Sequence, residues 1–338
     1  MTNSPDTDEY GVVATVLIGR NEGERLVECL KSMTPSAGHI VYVDSGSTDG
    51  SVAAAHAAGV EVVPLDMTRP FTAARARNAG YAALAASGAA FDCVQFIDGD
   101  CRLVPGWIEA GRKALREDAS LGIVTGWRSE IHRDRSIYNA LCDFEWRRPA
   151  GEIRTCGGDM MVRREAFETV GGFDDTVIAA EDYDFCVRIR AAGWKIRRLP
   201  VEMTRHDAAM YRFGQWWQRA VRSGHGFAQV GALHPDYFVT ERRRVLIFGG
   251  VLPAIALIGL LLGAYWLVLA VLALYALSYV RTVMGLRREG LPPREALTHA
   301  VFLSLSKFPN LQGMLTYWRR RMNRRDMEII EYKHQSQS

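Results

Sequence analysis

The sequence predicts an α/β domain built on a parallel, doubly wound sheet, followed by a helical region suited to a membrane. Three observations carry this expectation. Short apolar, β-branched runs alternate with helical spacings through the first part of the chain. One such run, Val94-Gln95-Phe96-Ile97, ends abruptly in Asp98-Gly99-Asp100. No charged residue occurs from Val245 to Val280.

Composition sets the frame. A chain of 338 residues is long enough for one α/β domain and a further unit. With 48% apolar and 23% charged residues it is not disordered in character. A net charge of +3 is too small to argue for nucleic acid as a partner. The cysteines at 29, 93, 101, 142, 156 and 186 form no C-x-x-C pair and suggest no zinc site. They read as reduced thiols of a cytosol-facing domain. Met1 to Tyr10 is polar and acidic, without the basic start and apolar core of a signal peptide.

In order, Val12 to Gly19 reads as a buried first strand. Arg20-Asn21-Glu22-Gly23 breaks it, and Glu24 to Met33 places Leu26, Cys29, Leu30 and Met33 on one helical face. His39 to Val43 is the next strand. It runs into Asp44-Ser45-Gly46-Ser47-Thr48-Asp49-Gly50-Ser51, a turn in which Asp49 is placed to cap a helix over Ser51 to Ala58. Val60 to Leu65 is a third strand, and Thr72 to Ala86 an alanine-rich helix carrying Arg75, Arg77 and Asn78. Phe91 to Ile97 is the strand that ends in the acidic pair. A helix is expected over Trp107 to Arg116 and a strand over Leu121 to Gly126. Arg128 to Arg148 is mixed and charged, with aromatic residues interspersed. Glycine-rich Thr155 to Met161 precedes a helix at Arg164 to Val170, which Gly171-Gly172-Phe173-Asp174 terminates. Glu181 to Ala192 is a helix whose acidic first turn suits the positive end of its dipole. Trp194 to Leu199 reads as a strand, and Met203 to Asp207 leads into a segment rich in Trp and Arg.

The acidic pair is placed where open α/β sheets bind ligands, at the carboxyl end of a strand. Alternation along an extended strand would set Asp98 and Asp100 on the same side. Two hard oxygen ligands there suit Mg2+ or Mn2+ bridging to a substrate phosphate. A lone D-G-D is also an ordinary polar turn.

The uncharged stretch is too long for one span of about 20 residues and fits two short ones, each near the lower limit of ~17, turning near Gly263-Ala264. A re-entrant hairpin is the alternative. Arg242, Arg243 and Arg244 precede it and Arg281, Arg287 and Arg288 follow, which puts both ends on the cytoplasmic side. Ala296 to Trp318 is apolar but broken at Lys307 and Pro309 and followed by arginines, as in helices lying in the membrane interface. The expected division is a polar tail (1–10), an α/β domain (11–235), a hairpin (241–285), interfacial helices (291–325) and a polar tail (326–338).

Together the motifs resemble an inverting glycosyltransferase of family 2 with the GT-A, Rossmann-like fold. The resemblance covers about Val12 to His206. It rests on Arg20-Asn21-Glu22, Val43-Asp44-Ser45-Gly46-Ser47-Thr48-Asp49-Gly50, Ala76-Arg77-Asn78-Ala79-Gly80, Asp98-Gly99-Asp100, Gly171-Gly172-Phe173-Asp174 and Glu181-Asp182, in that order. It implies a nucleotide-sugar donor, most often a UDP-sugar, held by Asp44, Arg77, Asp98, Asn21 and Glu22. It implies Mn2+ or Mg2+ held by Asp100, Asp98 and His206. Asp182 is implied as catalytic base, and Gly157, Gly158, Asp159 and Glu181 as the lining of the acceptor pocket. Ser45 departs from the second Asp that many members carry there. Gln215-Trp216-Trp217-Gln218-Arg219 has the residues of the processive Q-x-x-R-W motif in another register, which argues against polymer extrusion. Trp216 and Trp217 suit a sugar platform or a membrane interface, with plain core packing as the alternative.

The expected function is transfer of a single sugar to a polyprenyl-diphosphate-linked saccharide or glycolipid, at the cytoplasmic face of a bacterial inner membrane, in cell-surface or exopolysaccharide assembly. A polyprenyl-phosphate sugar synthase and a non-catalytic nucleotide-sugar-binding scaffold are the alternatives.

Overall fold

The computed structural model describes residues 11–33 and 37–332. The expected tail 1–10 and the last part of the tail 326–338, from 333 onward, lie outside these residues. The chain divides between Ala209 and Met210 into two compact units.

The first unit carries one sheet, of nine strands among the described residues. They are β1 (Val13–Gly19), β2 (Ile40–Asp44), β3 (Glu61–Pro64), β4 (Cys93–Asp98), β5 (Cys101–Leu103), β6 (Leu121–Glu130), β7 (Gly151–Ile153), β8 (Met160–Arg163) and β9 (Lys195–His206). The order is β3-β2-β1-β4-β8-β6-β9-β5, with β7 against β9. Among the described residues, seven α-helices flank them: α1 (Glu24–Ser32), α2 (Ser51–Ala57), α3 (Ala73–Ala86), α4 (Trp107–Glu117), α5 (Ile137–Trp146), α6 (Arg164–Thr169) and α7 (Glu181–Ala191).

The expectation of a parallel sheet holds for half of it. β3, β2, β1 and β4 run parallel. β8 is antiparallel to both β4 and β6, and β5 is antiparallel to β9. The sheet is therefore mixed. The reversal beside β4 is made by β8, while β5, which follows the acidic turn, lies at the far edge against β9. Two cores fill the faces, as a doubly wound arrangement requires. Val16, Val94, Phe96, Leu84, Phe167 and Phe185 pack on one side. Leu17, Leu26, Ile97, Trp107 and Leu115 pack on the other. Each such side chain stabilises the fold by roughly 1.5–3 kcal/mol when fully buried. The polar Trp107 Nε1 is satisfied within its core, donating to Gln95 Oε1 at 2.7 Å.

Two elements exceed their expected limits. β9 continues through Pro200 because its pairing with β6 shifts register between Thr125 and Trp127. A proline is tolerated at such an irregularity, where no ladder bond is asked of it. The charged stretch 128–148 contains the end of β6 and α5. Ser136 caps α5, its side chain accepting from the Asn139 N–H at 3.0 Å.

The second unit is helical: α8 (Phe213–Leu233), α9 (Val239–Leu246), α10 (Leu252–Leu261), α11 (Tyr265–Arg288), α12 (Pro293–Leu305) and α13 (Lys307–Met322). The α/β unit thus ends at Ala209, not at 235. The reason is α8, which packs on α13 so closely that a Cβ at Gly224 would meet the Asn310 carbonyl oxygen at 2.0 Å, and one at Gly313 the Val221 carbonyl oxygen at 2.0 Å. α9 and α10 join through a π-helical turn at Ile247–Val251 into one helix, Val239–Leu261, of 23 residues. This helix and Tyr265–Arg288, of 24 residues, are each long and apolar enough to cross a membrane. They exceed the short spans expected because each continues into its basic flank. Little of either is buried within the protein, and Leu261, Trp266 and Leu269 stand exposed. The break before the last helix falls at Ser306, beside Lys307.

Candidate active site

The ends of β1, β2 and β4 bring three loops together. Asp44 closes the turn after β2. Its Oδ2 accepts from the N–H groups of Gly46 (3.1 Å) and Ser47 (2.9 Å), and its Oδ1 from the Tyr42 hydroxyl at 3.1 Å. Asn21, at φ 54°, ties the loop after β1 to this turn. Its Oδ1 accepts from the Thr48 N–H at 2.7 Å. Glu22 pairs with Arg25 at 2.9 Å and stands beside Gly99, whose added Cβ would lie 3.2 Å from the Glu22 Cγ. Asp49 accepts from the Ser51 N–H at the start of α2, as expected, at 2.9 Å.

Arg77 joins the acidic motifs. It leaves α3 fully buried, donating from Nη1 to Glu181 Oε1 and from Nη2 to Asp98 Oδ1, both at 2.8 Å. Burial opposes the guanidinium charge, but Asp98 and Glu181 outweigh it and keep Arg77 firmly protonated. Gly158 is required by this packing, since a Cβ there would stand 2.1 Å from Arg77 Nη2.

Asp182 follows in the first turn of α7 and is partly buried. Its Oδ1 accepts from the Tyr183 N–H at 2.8 Å. Burial and the neighbouring Glu181 charge push its pKa up to about 7, against the pull of Arg77 and Arg128. Such a value suits a general base at neutral pH. The position of a Cβ on Gly157 would lie 3.8 Å from Asp182 Oδ2 and 3.9 Å from Arg128 Nη2. Space is thus kept open in front of the carboxylate.

The cation-binding geometry centres on Asp100 and His206. β5 and β9 pair Cys101 with His206, and His206 Nε2 lies 3.2 Å from Asp100 Oδ2. Ligand atoms of Asp100, Cys101 and His206 all fall within 4.8 Å of one another. A carboxylate oxygen and an imidazole nitrogen fit Mn2+, and fit Mg2+ when further oxygens come from substrate and water. Cys101 does not fit a hard ion, because burial pushes its thiol well up and keeps it protonated. The Nδ1 of His206 is buried without a hydrogen-bond partner. Asp98 lies outside this cluster. β4 ends at Asp98 and the chain reverses at Gly99, so the two carboxylates do not continue one extended strand, and Arg77 holds Asp98 instead.

The residues implied as acceptor lining have these surroundings. Asp159 is buried and fully engaged, with Arg128 Nη2 at 2.6 Å, Thr204 Oγ1 at 2.8 Å and the Asp98 N–H at 3.1 Å. Glu181 is buried against Arg77. Trp216 lies in the second unit, buried and packed edge-on to Phe302 at 5.1 Å, as a core residue. Trp217 donates from Nε1 to Gln312 Oε1 at 2.9 Å. Three residues passed over in the sequence stand at the site: Arg128, Trp146 edge-on to His206 at 4.5 Å, and Glu130, whose Oε2 is 3.8 Å from His206 Nδ1. The signal that marks Trp146 is the Ser136 cap, which makes α5 a helix and brings that ring back over His206; Arg128 and Glu130 lie at the end of β6.

Comparison with known proteins places this geometry. Residues 16–171 match the profile described as Glycosyl transferase family 2, and residues 94–305 that of Glycosyl transferase family group 2. A pre-mycofactocin glycosyltransferase of Mycobacterium tuberculosis is 26% identical over 268 residues, covering 74% of this chain and 53% of that protein. A TPR repeat-containing protein of Synechococcus elongatus is 28% identical over 195 residues, covering 57% of this chain and 41% of that protein. The chain spans about half the length of the curated relatives it matches. Among solved structures, the mannosyltransferase PcManGT of Pyrobaculum calidifontis, in complex with GDP-Man and Mn2+, aligns at a TM-score of 0.55. That pair shares 21% identity over 91% of this chain and 89% of the other, a likeness in fold, the GT-A fold. With a family profile covering more than half of its length, the chain belongs to the family 2 glycosyltransferases.

Proposed function

We propose that this glycosyltransferase moves one sugar from a UDP-sugar to a hydroxyl of a lipid-linked acceptor, with inversion at the anomeric carbon. The observation that carries the reading is Asp182. It is a carboxylate with a pKa pushed up to about 7, facing a position kept open by Gly157. The acceptor hydroxyl gives its proton to Asp182 as its oxygen bonds to the anomeric carbon. The bond from that carbon to the diphosphate breaks in the same displacement, and UDP departs. Attack from the face opposite the leaving group inverts the centre.

Asp100 and His206 would hold Mn2+ or Mg2+, which as a Lewis acid neutralises charge on the departing diphosphate. Asp44 would accept from an N–H of the nucleobase at the end of β2, with Asn21 and Glu22 shaping that end of the cleft. Asp98, held by Arg77, would meet the ribose. Arg77 itself, buried between two carboxylates, would act by fixing Asp98 and Glu181 rather than by touching phosphate.

The two exposed apolar helices support a membrane setting. Arginines at both flanks of the hairpin favour the cytoplasmic side for its two ends. An acceptor carried on lipid would be met there.

The test is product analysis with the full chain in lipid nanodiscs. An α-linked UDP-sugar should yield a β-linked product on the lipid-linked acceptor, read by NMR of the anomeric proton. Near wild-type transfer by Asp182→Asn removes the base assignment, and retention of configuration removes the single displacement.

A further inference from the structure

The ribbon formed by β5 and β9 has two faces. Cys101 pairs with His206, and one step along Arg102 pairs with Arg205. Successive residues of a strand point to opposite faces, so the arginine pair projects away from the cation cluster. On that side lies a cavity of about 420 Å³. Arg102, Arg205 and Arg147 line it, with Ser129, Glu130 and the turn at Val104-Pro105. Its formal lining charge is three positive against one negative. Glu130 is turned inward, its Oε1 accepting from the His132 N–H at 2.9 Å and its Oε2 from the Ala208 N–H at 2.9 Å.

The arginines have carboxylate neighbours outside the cavity. Arg102 lies 3.6 Å from Glu28, Arg205 3.1 Å from Glu202 and Arg147 3.1 Å from Asp143. The three arginine side chains are 43%, 59% and 64% exposed. Each guanidinium carries five N–H donors, so an entering anion can be met on the exposed side of the arginine while the carboxylate contact is kept. Guanidinium forks match phosphate oxygens two at a time. The volume is that of a sugar phosphate rather than of a single small ion.

We propose that this cavity is a second ligand site, distinct from the donor cleft, for a small phosphorylated solute or a phosphate-bearing lipid headgroup. The shared chemistry is a phosphate dianion gripped by Arg102 and Arg205 and closed over by Arg147. The site shares Glu130 with the surroundings of His206, so its occupancy reaches the cation cluster through one side chain.

The experiment is calorimetric titration of the full chain in detergent, with three probes: inorganic phosphate, glucose 1-phosphate and water-soluble short-chain phosphatidic acid. Saturable binding is expected for at least one probe, weakened about tenfold or more in Arg102→Gln/Arg205→Gln, as loss of charged hydrogen bonds requires. Binding is expected to persist in Asp182→Asn and with the donor cleft filled by UDP and Mn2+. Preference for glucose 1-phosphate marks a soluble ligand, and preference for phosphatidic acid marks a headgroup. Circular dichroism of the double variant checks its fold, and Arg147→Gln serves if it does not fold. No saturable binding by any probe overturns the site. So does binding that the arginine substitutions leave unchanged, or that UDP abolishes. Loss of sugar transfer in Asp182→Asn with phosphate binding intact separates this site from the catalytic reading.

Discussion

Gly158 stands where no other residue fits beside Arg77: a Cβ would approach Nη2 to 2.1 Å. The glycine is therefore a packing requirement of the ion-paired arginine. Gly158→Ala should destabilise the first unit by roughly 1–3 kcal/mol, the usual cost of overpacking. It should also lower transfer, because Arg77 must release Glu181 or Asp98 to make room. Urea denaturation of the wild type and variant measures the first effect. An unchanged midpoint and rate would show that the arginine yields without cost.

Arg77 itself neutralises two acidic partners, one of them buried. Arg77→Ala leaves Glu181 and Asp98 without their cation, a loss of about 3 kcal/mol for a pair at the partly solvated end of such sites. Arg77→Lys should recover little, since one ammonium does not reproduce the fork. In Arg77→Ala the Asp182 carboxyl loses a positive neighbour and titrates higher, so the pH–rate profile moves to higher pH, whereas Arg77→Lys keeps a cation there and moves it less.

The pH dependence follows from Asp182. Its carboxyl titrates at 3.8 when free and at about 7 in the folded protein. Between those values the folded state holds a proton that the unfolded chain releases. Stability from this group is thus complete at acid pH and falls as pH rises through the window. Activity moves the other way, because a base must be ionised. We expect kcat/KM to rise with pH through about 7 and then level. Asp182→Asn should lose roughly 10²–10⁴-fold in kcat. The same variant should gain thermal stability over wild type at alkaline pH and gain nothing at acid pH.

Divalent-ion dependence rests on Asp100 and His206. Chelation by EDTA should abolish transfer, and Mn2+ should restore it. His206→Ala should weaken Mn2+ binding by about tenfold or more, an effect at least as large as that of losing an outer-shell partner. Cys101→Ser should leave the affinity nearly unchanged, since a soft thiol adds little to the holding of a hard ion. Titration followed by Mn2+ electron paramagnetic resonance distinguishes the two.

What the sequence disclosed was local. Asp98-Gly99-Asp100 marks the end of a strand within a few residues of chain, and Glu181-Asp182 opens a helix in the same way. The hairpin was legible because an uncharged run needs no partner to be recognised. What stayed hidden depended on distant pairing. Arg77 reaches Glu181 across 104 positions, and nothing near either residue announces the bond. Asp159 is held by Arg128 and Thr204, contacts over 31 and 45 positions that its glycine neighbours do not announce. The mixed half of the sheet arises because β8 enters antiparallel between β4 and β6, a pairing that strand propensity does not encode. The division of the chain before α8 was hidden for the same reason, since Trp216 and Trp217 meet Phe302 and Gln312 far along the chain.

The seam between α8 and α13 has a consequence for biosynthesis. Trp217 and Gln312 meet across a separation of 95 residues, and both apolar helices are encoded between them. A ribosome releases α8 first and α13 last. The face of α8 that holds Trp216 and Gly224 therefore waits, uncovered, until the hairpin has been delivered. Completion of the second unit thus waits on both apolar helices, and a chain in which they are misplaced leaves that face of α8 bare.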